Sequence, residues 1–220
     1  SYANESGGDP EVIPELTYEQ FLDFHRRYYH PSNSYIYLYG NMDMEEKLNW
    51  LDQEYLSHYD YLEVDSEIQR QPAFAKPVEV KKTYSIASTE SVENNTYLSC
   101  SFSVDTILNE KLYIAFDILD YALLGAPGAP LKKALLDAKI GKDVMSSYDN
   151  SIYQPIFSVV VKNSNPDKKE EFLKIIRDVL KDQVKNGINK KSLRAGLNSF
   201  EFKYREADFG QFPKGLLFGI

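Results

Sequence analysis

Three histidines are the first place to look for metal or proton-transfer chemistry in this sequence: His25, His30 and His58. His25 and His30 lie five residues apart, and on a helix that separation turns their side chains roughly 140° away from each other. They cannot form the one-face pair that an H-x-x-x-H zinc motif needs. Neither H-E-x-x-H nor H-x-x-E-H occurs in the 220 residues. Packing or surface roles are therefore expected for all three. The single cysteine, Cys100, leaves no internal disulfide framework and no multi-cysteine zinc site. It sits in an alternating apolar stretch, which predicts a buried, unreactive thiol. Residue spacing assigns no catalytic residue and no metal ligand.

The remaining polar motifs read the same way. Gly125-Ala126-Pro127-Gly128 follows a helical pattern rather than a strand, and no Lys-Ser/Thr pair comes after it. A phosphate cradle needs backbone N–H groups aimed from a strand-to-helix turn, so this loop does not supply one. Ser6-Gly7-Gly8-Asp9-Pro10 reads as a plain turn. Glu45-Glu46 and Glu170-Glu171 fall near expected helix N-termini, where the helix dipole accounts for them. Tyr35, Tyr37 and Tyr39 form a row suited to a half-buried strand face, and Arg205-Glu206 is a charge pair near the end of a helix.

The balance of 25 Lys+Arg against 33 Asp+Glu gives a net charge of −8. That argues against nucleic acid or an anionic membrane surface as the main partner, since both demand a positive footprint. Hydrophobic residues make up 43% of the chain, enough for a packed core. No uninterrupted run of about 18 apolar residues is present, so no membrane span is expected. The first residues show neither the basic patch nor the apolar core of a signal peptide. Ser1 stands where an initiator Met would, and Gly215-Leu216-Leu217-Phe218-Gly219-Ile220 ends in apolar sequence, so a fragment of a longer protein is expected. Composition with one cysteine is compatible with a cytoplasmic bacterial protein.

Several elements must position whatever the chain does. Thr17 with Gln20 forms a capping box that opens a helix carrying Phe21, Phe24 and Tyr28, and Pro31 ends it. Residues 34–39 alternate as a strand. Asp43 with Glu46 caps a second helix. The Asp/Glu-rich and Pro-containing stretch 63–77 reads as a linker. Strands are expected over 78–87 and 96–104, the latter burying Leu98, Cys100, Phe102 and Val104 on one face. A helix from Asn109 to Leu124 is apolar nearly all round, which predicts a buried element. Pro130 restarts a helix that Ile140-Gly141 closes. A strand pair over 144–148 and 156–162 follows, then a helix after Asn165-Pro166 that stops at Gly187, and a last helix from Asn189 to about Ala207. Runs of strands beside runs of helices define an α+β fold, with a mixed or antiparallel sheet and helices on one face.

Specific blocks add a resemblance. Ser6-Gly7-Gly8-Asp9-Pro10, Ile13-Pro14-Glu15-Leu16-Thr17, Phe24-His25, Tyr28-Tyr29-His30-Pro31-Ser32-Asn33 and Tyr39-Gly40-Asn41 resemble the presequence-protease branch of the insulinase/pitrilysin metallopeptidases. Leu124-Gly125, Pro130-Leu131, Leu135, Ile140-Gly141, Gln154 and Phe157 agree. So do Asn198, Glu201-Phe202, Arg205-Glu206, Phe209-Gly210 and Pro213-Lys214-Gly215-Leu216. The likeness runs over nearly the whole chain.

The resemblance implies a larger chain of homologous α+β domains closing like a clamshell. Residues 1–62 would be the C-terminal part of the first, catalytic domain. Residues 78–220 would be the N-terminal and central part of a second, non-catalytic one. It implies a zinc-dependent metalloendopeptidase that degrades unfolded peptides, its zinc held upstream of Ser1, with no zinc bound here. The expected partners are unfolded peptides and the remaining domains of the same chain. In such a family the second domain can hold substrate by adding it to a sheet edge through main-chain hydrogen bonds. By position, the implied substrate-binding residues are Val144, Met145, Ser146 and Ser147, with Gly125, Ala126 and Gly128 at the adjacent turn. An ordinary paired strand is the competing expectation for 144–147. The rival functional reading is a catalytically dead structural or processing-partner subunit.

Overall fold

The computed structural model describes residues 7–206 and 210–219. Ser1 to Ser6, Ala207, Phe209 and Ile220, which carry parts of the expectations above, lie outside the described residues. The chain divides into two compact units, one comprising Ser1–Gln71 with Phe209–Ile220 and the other Pro72–Asp208.

In the first unit, α1 (Tyr18–Tyr28) opens on the expected capping box. Gln20 N–H donates to Thr17 Oγ1 (3.2 Å), and Thr17 N–H donates to Gln20 Oε1 (2.8 Å). Helix α2 (Met44–Glu54) opens on Asp43, whose Oδ1 accepts from Glu46 N–H at 3.0 Å. The block Tyr28-Tyr29-His30-Pro31-Ser32-Asn33 has a clear structural task. Asn33 Nδ2 donates to the Tyr28 carbonyl (2.9 Å), satisfying an orphan acceptor at the end of α1. His30 Nδ1 accepts from Ser32 N–H (3.2 Å), and the His30 ring meets Tyr59 edge-on, centroids 5.4 Å apart. Ser32 Oγ then accepts from Leu62 N–H (3.1 Å), and Ser66 Oγ donates to Asn33 Oδ1 (2.5 Å). The start of the stretch expected as linker is thus tied back onto the turn that ends α1.

Residues 34–39 form no strand, contrary to their alternation. A strand exists only as part of a hydrogen-bonded ladder, and no described strand of this unit lies beside them. Tyr35 is fully exposed. Tyr37 and Tyr39 instead serve helix α7 (Lys214–Gly219). The Tyr37 hydroxyl donates to the Gly215 carbonyl at 2.7 Å, and the Tyr39 and Tyr37 rings occupy the space that a Cβ would need at Gly215 and Gly219. The two glycines, one helical turn apart, leave the space that these rings fill.

The second unit holds the sheet. Strands β1 (Thr96–Ser103), β2 (Asp143–Asp149) and β3 (Ile156–Ser164) are arranged β1-β3-β2, and both pairings are antiparallel. Their register places Leu98, Val161 and Val144 in one row across the sheet, Cys100, Val159 and Ser146 in the next, and Phe102, Phe157 and Tyr148 in the third. These rows face the helices. Helices α3 (Glu110–Asp120) and α4 (Pro130–Asp137) pack on β2, while α5 (Lys169–Asn186) packs on α4 and β1. Leu131, Leu135, Ile140, Val144, Val159, Val161 and Phe172 are almost completely buried there. The fold is α+β, with the helices on one face of a small antiparallel sheet.

Three expectations change. Residues 78–87 form no strand; the segment is held by side chains, with Lys169 paired to Glu79 (2.6 Å) and the Tyr84 hydroxyl donating to Asn95 Oδ1 (2.8 Å). Phe102 has inward parity yet is 43% exposed, because the aromatic group of Phe116, Tyr148 and Phe157, with centroids 5.7–6.5 Å apart, closes that end of the core without it. The helix expected from Asn109 to Leu124 is α-helical only to Asp120, and no residue of α3 is fully buried. Its apolar circumference is shared between the sheet and α6 (Lys190–Glu206), which also packs on it. The chain then widens into a π turn, Tyr121–Gly125, closed by Ala126 N–H donating to the Tyr121 carbonyl at 2.7 Å; Ala122, Leu123 and Leu124 are the buried residues. Glu110–Asp137 is long and apolar enough to cross a bilayer by length and composition. In this fold the stretch is two helices joined by a turn and packed on a sheet.

Candidate functional site

The implied binding residues occupy the end of the π turn and the outer strand β2. Among the described strands, β2 pairs only with β3, so one of its two edges has no neighbouring strand. Val144 is buried and Ser146 half-buried, both facing the helices, while Met145 and Ser147 are exposed on the opposite face. On that open face Met145 is opposite Val160 and Ser147 opposite Ser158, whose hydroxyl bonds to that of Ser101 at 2.8 Å. The strand is therefore paired with β3 on one side and has no described strand beside it on the other.

The π turn, which Gly125 ends, packs against β2. Beyond it, Ala129 N–H donates to the Ala126 carbonyl at 2.9 Å, and Gly128 has φ +71°, a backbone region that glycine adopts without strain. Gly125, Gly128, Lys132, Lys133 and Asp137 line an open cleft of about 380 Å³. Lys133 and Asp137 pair across one helical turn. No residue of β2 lines this cleft, so turn and strand edge are neighbours without forming one concavity.

Residue spacing missed a polar cluster beneath the edge. Asp117 and Asp120, three apart on α3, face β2 and the residues after it. Asn150 Nδ2 donates to Asp117 Oδ2 (3.3 Å), and the Ser146 hydroxyl bonds to the Asp120 carboxylate. Asp120 Oδ1 and the Tyr148 hydroxyl are sealed from solvent with no hydrogen-bond partner among the described residues. Burial pushes both carboxyls up from their ordinary value, opposed at Asp117 by Lys203 of α6 and at Asp120 by Ser146. Burial also pushes the Tyr113 phenol up to about 12, with Tyr204 bonded beside it. Two acids interrupting an apolar helix were the available signal.

A carboxyl whose folded pKa lies above its unfolded value favours the folded state fully at low pH and loses that contribution as pH rises through the folded value. Asp120→Asn, which keeps the shape and carries no charge, is expected to melt on the order of 2 °C above the wild type at pH 7–8. The difference vanishes below the ordinary aspartate value near 3.8. Thermal melts of both proteins from pH 3 to pH 8 test this, and a pH-independent difference would show that the buried charge is not the cause.

The other candidates resolve into structure. His25 stacks on Tyr29 (4.7 Å), and His30 is engaged as above. Among the described residues, no group of three or more His, Cys, Asp or Glu could hold a metal ion. Asp9 spends its carbonyl on the N–H groups of Val12 and Ile13 and its carboxylate on Glu11 N–H, so its loop is a turn. Arg205 pairs with Glu201 at 2.6 Å, an exposed pair of little energetic weight. Cys100 is half-buried, and burial pushes its thiol up, away from the reactive thiolate.

A small antiparallel sheet covered by helices on one face, with an outer strand paired on one side among the described strands, defines an α+β domain. Residues 15–200 match the family model described as the peptidase M16 inactive domain, and the chain belongs to that family. It is 48% identical over 217 residues to Protein HypA of Clostridium perfringens, covering 99% of this chain and 22% of that protein. It is 34% identical over 224 residues to Presequence protease 1, chloroplastic/mitochondrial, of Arabidopsis thaliana, covering 98% and 20%. With the mitochondrial presequence protease of Danio rerio it shares 30% over 216 residues, covering 96% and 21%. The chain spans about a fifth of the length of these relatives.

Proposed function

We propose that this chain is a substrate-holding segment of a zinc-dependent metalloendopeptidase that degrades unfolded peptides, and that it captures peptide as an added strand on the free edge of β2. The observation that carries the capture reading is the unpaired side of β2, opposite its ladder with β3. An extended peptide pairing there uses main-chain groups, which every sequence offers, and so suits varied unfolded substrates. The peptidase reading draws on the matched family and on relatives named presequence protease. On this reading the zinc and its activated water would be supplied by the rest of the full-length protein. The matched domain is described as inactive, which also suits a catalytically silent partner subunit.

Two measurements on the full-length protein separate these readings. Cleavage of a long unstructured peptide, lost on chelation and restored by zinc, is expected; absence of cleavage by the folded protein selects the silent subunit. Capture is tested with Ser146→Pro, which removes a backbone N–H from the strand. Ser146→Ala, which removes only the hydroxyl, is its control. Peptide affinity is expected to fall on the order of tenfold in the first and to stay within about twofold of wild type in the second. Equal affinities would remove β2 from the binding site.

A further inference from the structure

The free edge of β2 is not uniformly open. Val144 N–H donates to Oδ1 of the preceding residue, Asp143, at 2.8 Å, so it points away from β3. Strand residues present their N–H and C=O groups alternately to one side and the other. Ser146 and Tyr148 therefore share the outward side with Val144, while Met145 and Ser147 bond to β3. Beyond the strand, Asp149 Oδ1 accepts from the Ser151 N–H (3.2 Å) and hydroxyl (2.8 Å), closing the turn that leads to β3.

We infer that Asp143 sets the register of strand addition: its carboxylate occupies the first outward amide of β2 and confines an incoming peptide to Ser146 and Tyr148. This rests on the capture reading above. The side-chain oxygen already satisfies that amide locally and fills the place that a peptide carbonyl would have to take. Pairing that begins at Val144 is therefore disfavoured, and pairing that begins two residues later is not. The same contact blunts the edge against other strands, as inward or local charges do elsewhere.

The test compares wild type, Asp143→Ala and Asp143→Asn in the full-length protein, using an unstructured peptide of about ten residues as the probe. Affinity and amide hydrogen exchange of β2 are read together. In the wild type the peptide is expected to slow exchange at Ser146 and Tyr148 and to leave Val144 unchanged. Asp143→Ala is expected to bind about threefold to tenfold more tightly, with peptide-dependent protection extended to Val144. Asp143→Asn keeps an acceptor in place and is expected to match wild type. Protection at Ser146 and Tyr148 with no dependence on Asp143 overturns the register role alone. Asn behaving as Ala assigns the effect to charge and overturns the cap. No protection anywhere along β2 overturns the capture reading and the register role with it.

Discussion

Gly141→Ala is expected to destabilise the Pro72–Asp208 unit by about 3 kcal/mol, at the upper end of what overpacking costs. Gly141 lies between α4 and β2, where the chain crosses the end of β3. A Cβ built there falls within contact distance of the Lys162 carbonyl oxygen and the Val161 side chain. Neither can retreat: Lys162 O accepts from Lys142 N–H (3.0 Å), and Val161 is fully buried in the central strand. The backbone at Gly141 is not in the left-handed region, so the demand is for space alone. Gly187 supplies the contrast. Its φ of +83° and ψ of 155° lie in a region nearly confined to glycine and a Cβ there meets nothing within 4 Å, so Gly187→Ala should cost the backbone strain alone, on the order of 1–2 kcal/mol. Urea midpoints of the two variants decide the matter. Equal costs would mean that the crossing at Gly141 opens readily and that β2 is not held against β3 by this turn.

Much of this arrangement was legible because its causes are local. Capping by Thr17 and Asp43, the Pro130 start and the Gly187 stop depend on a few adjacent residues and appear where the pattern placed them. The pair β2 and β3 was readable because their alternation is matched by a partner that the chain itself supplies. Residues 34–39 and 78–87 have the same alternation and no such partner among the described residues, so propensity without a ladder leaves them extended but unpaired. Gly141 was readable as a helix stop, but its contact with Val161 and Lys162 depends on residues some twenty positions away. The candidate site was legible as a stretch of sequence, 144–147, through resemblance. That it forms an outer strand with one free edge is a property of strand order, which no local pattern encodes. Asp143 escaped notice for the same reason: its role depends on which way the Val144 amide points.

The extent of the core leads to the other large effect. Alternation makes Phe102 an inward residue of β1, opposite Phe157, and on that basis its truncation should be as costly as that of any core aromatic. The structure distributes the cost differently. Phe172, on the first turns of α5, is 1% exposed and belongs to the cluster that joins α5 to α4 and the sheet through Leu131, Leu135, Val159 and Val161. Phe172→Ala removes a ring that its neighbours cannot replace and leaves a cavity at that three-way junction, so a loss of about 3–5 kcal/mol is expected. Phe102→Ala takes away a ring already 43% exposed, so much of its apolar surface never left water, and a loss below about 1.5 kcal/mol is expected. Chemical denaturation of both variants, with the slope of each transition monitored, measures the difference. A comparable loss for Phe102 would place a further layer over that end of β1 and enlarge the core beyond the aromatic group of Phe116, Tyr148 and Phe157. A loss confined to Phe172 would fix the core on the β3 side, directly behind the ladder that holds β2 in place and leaves its outer edge free.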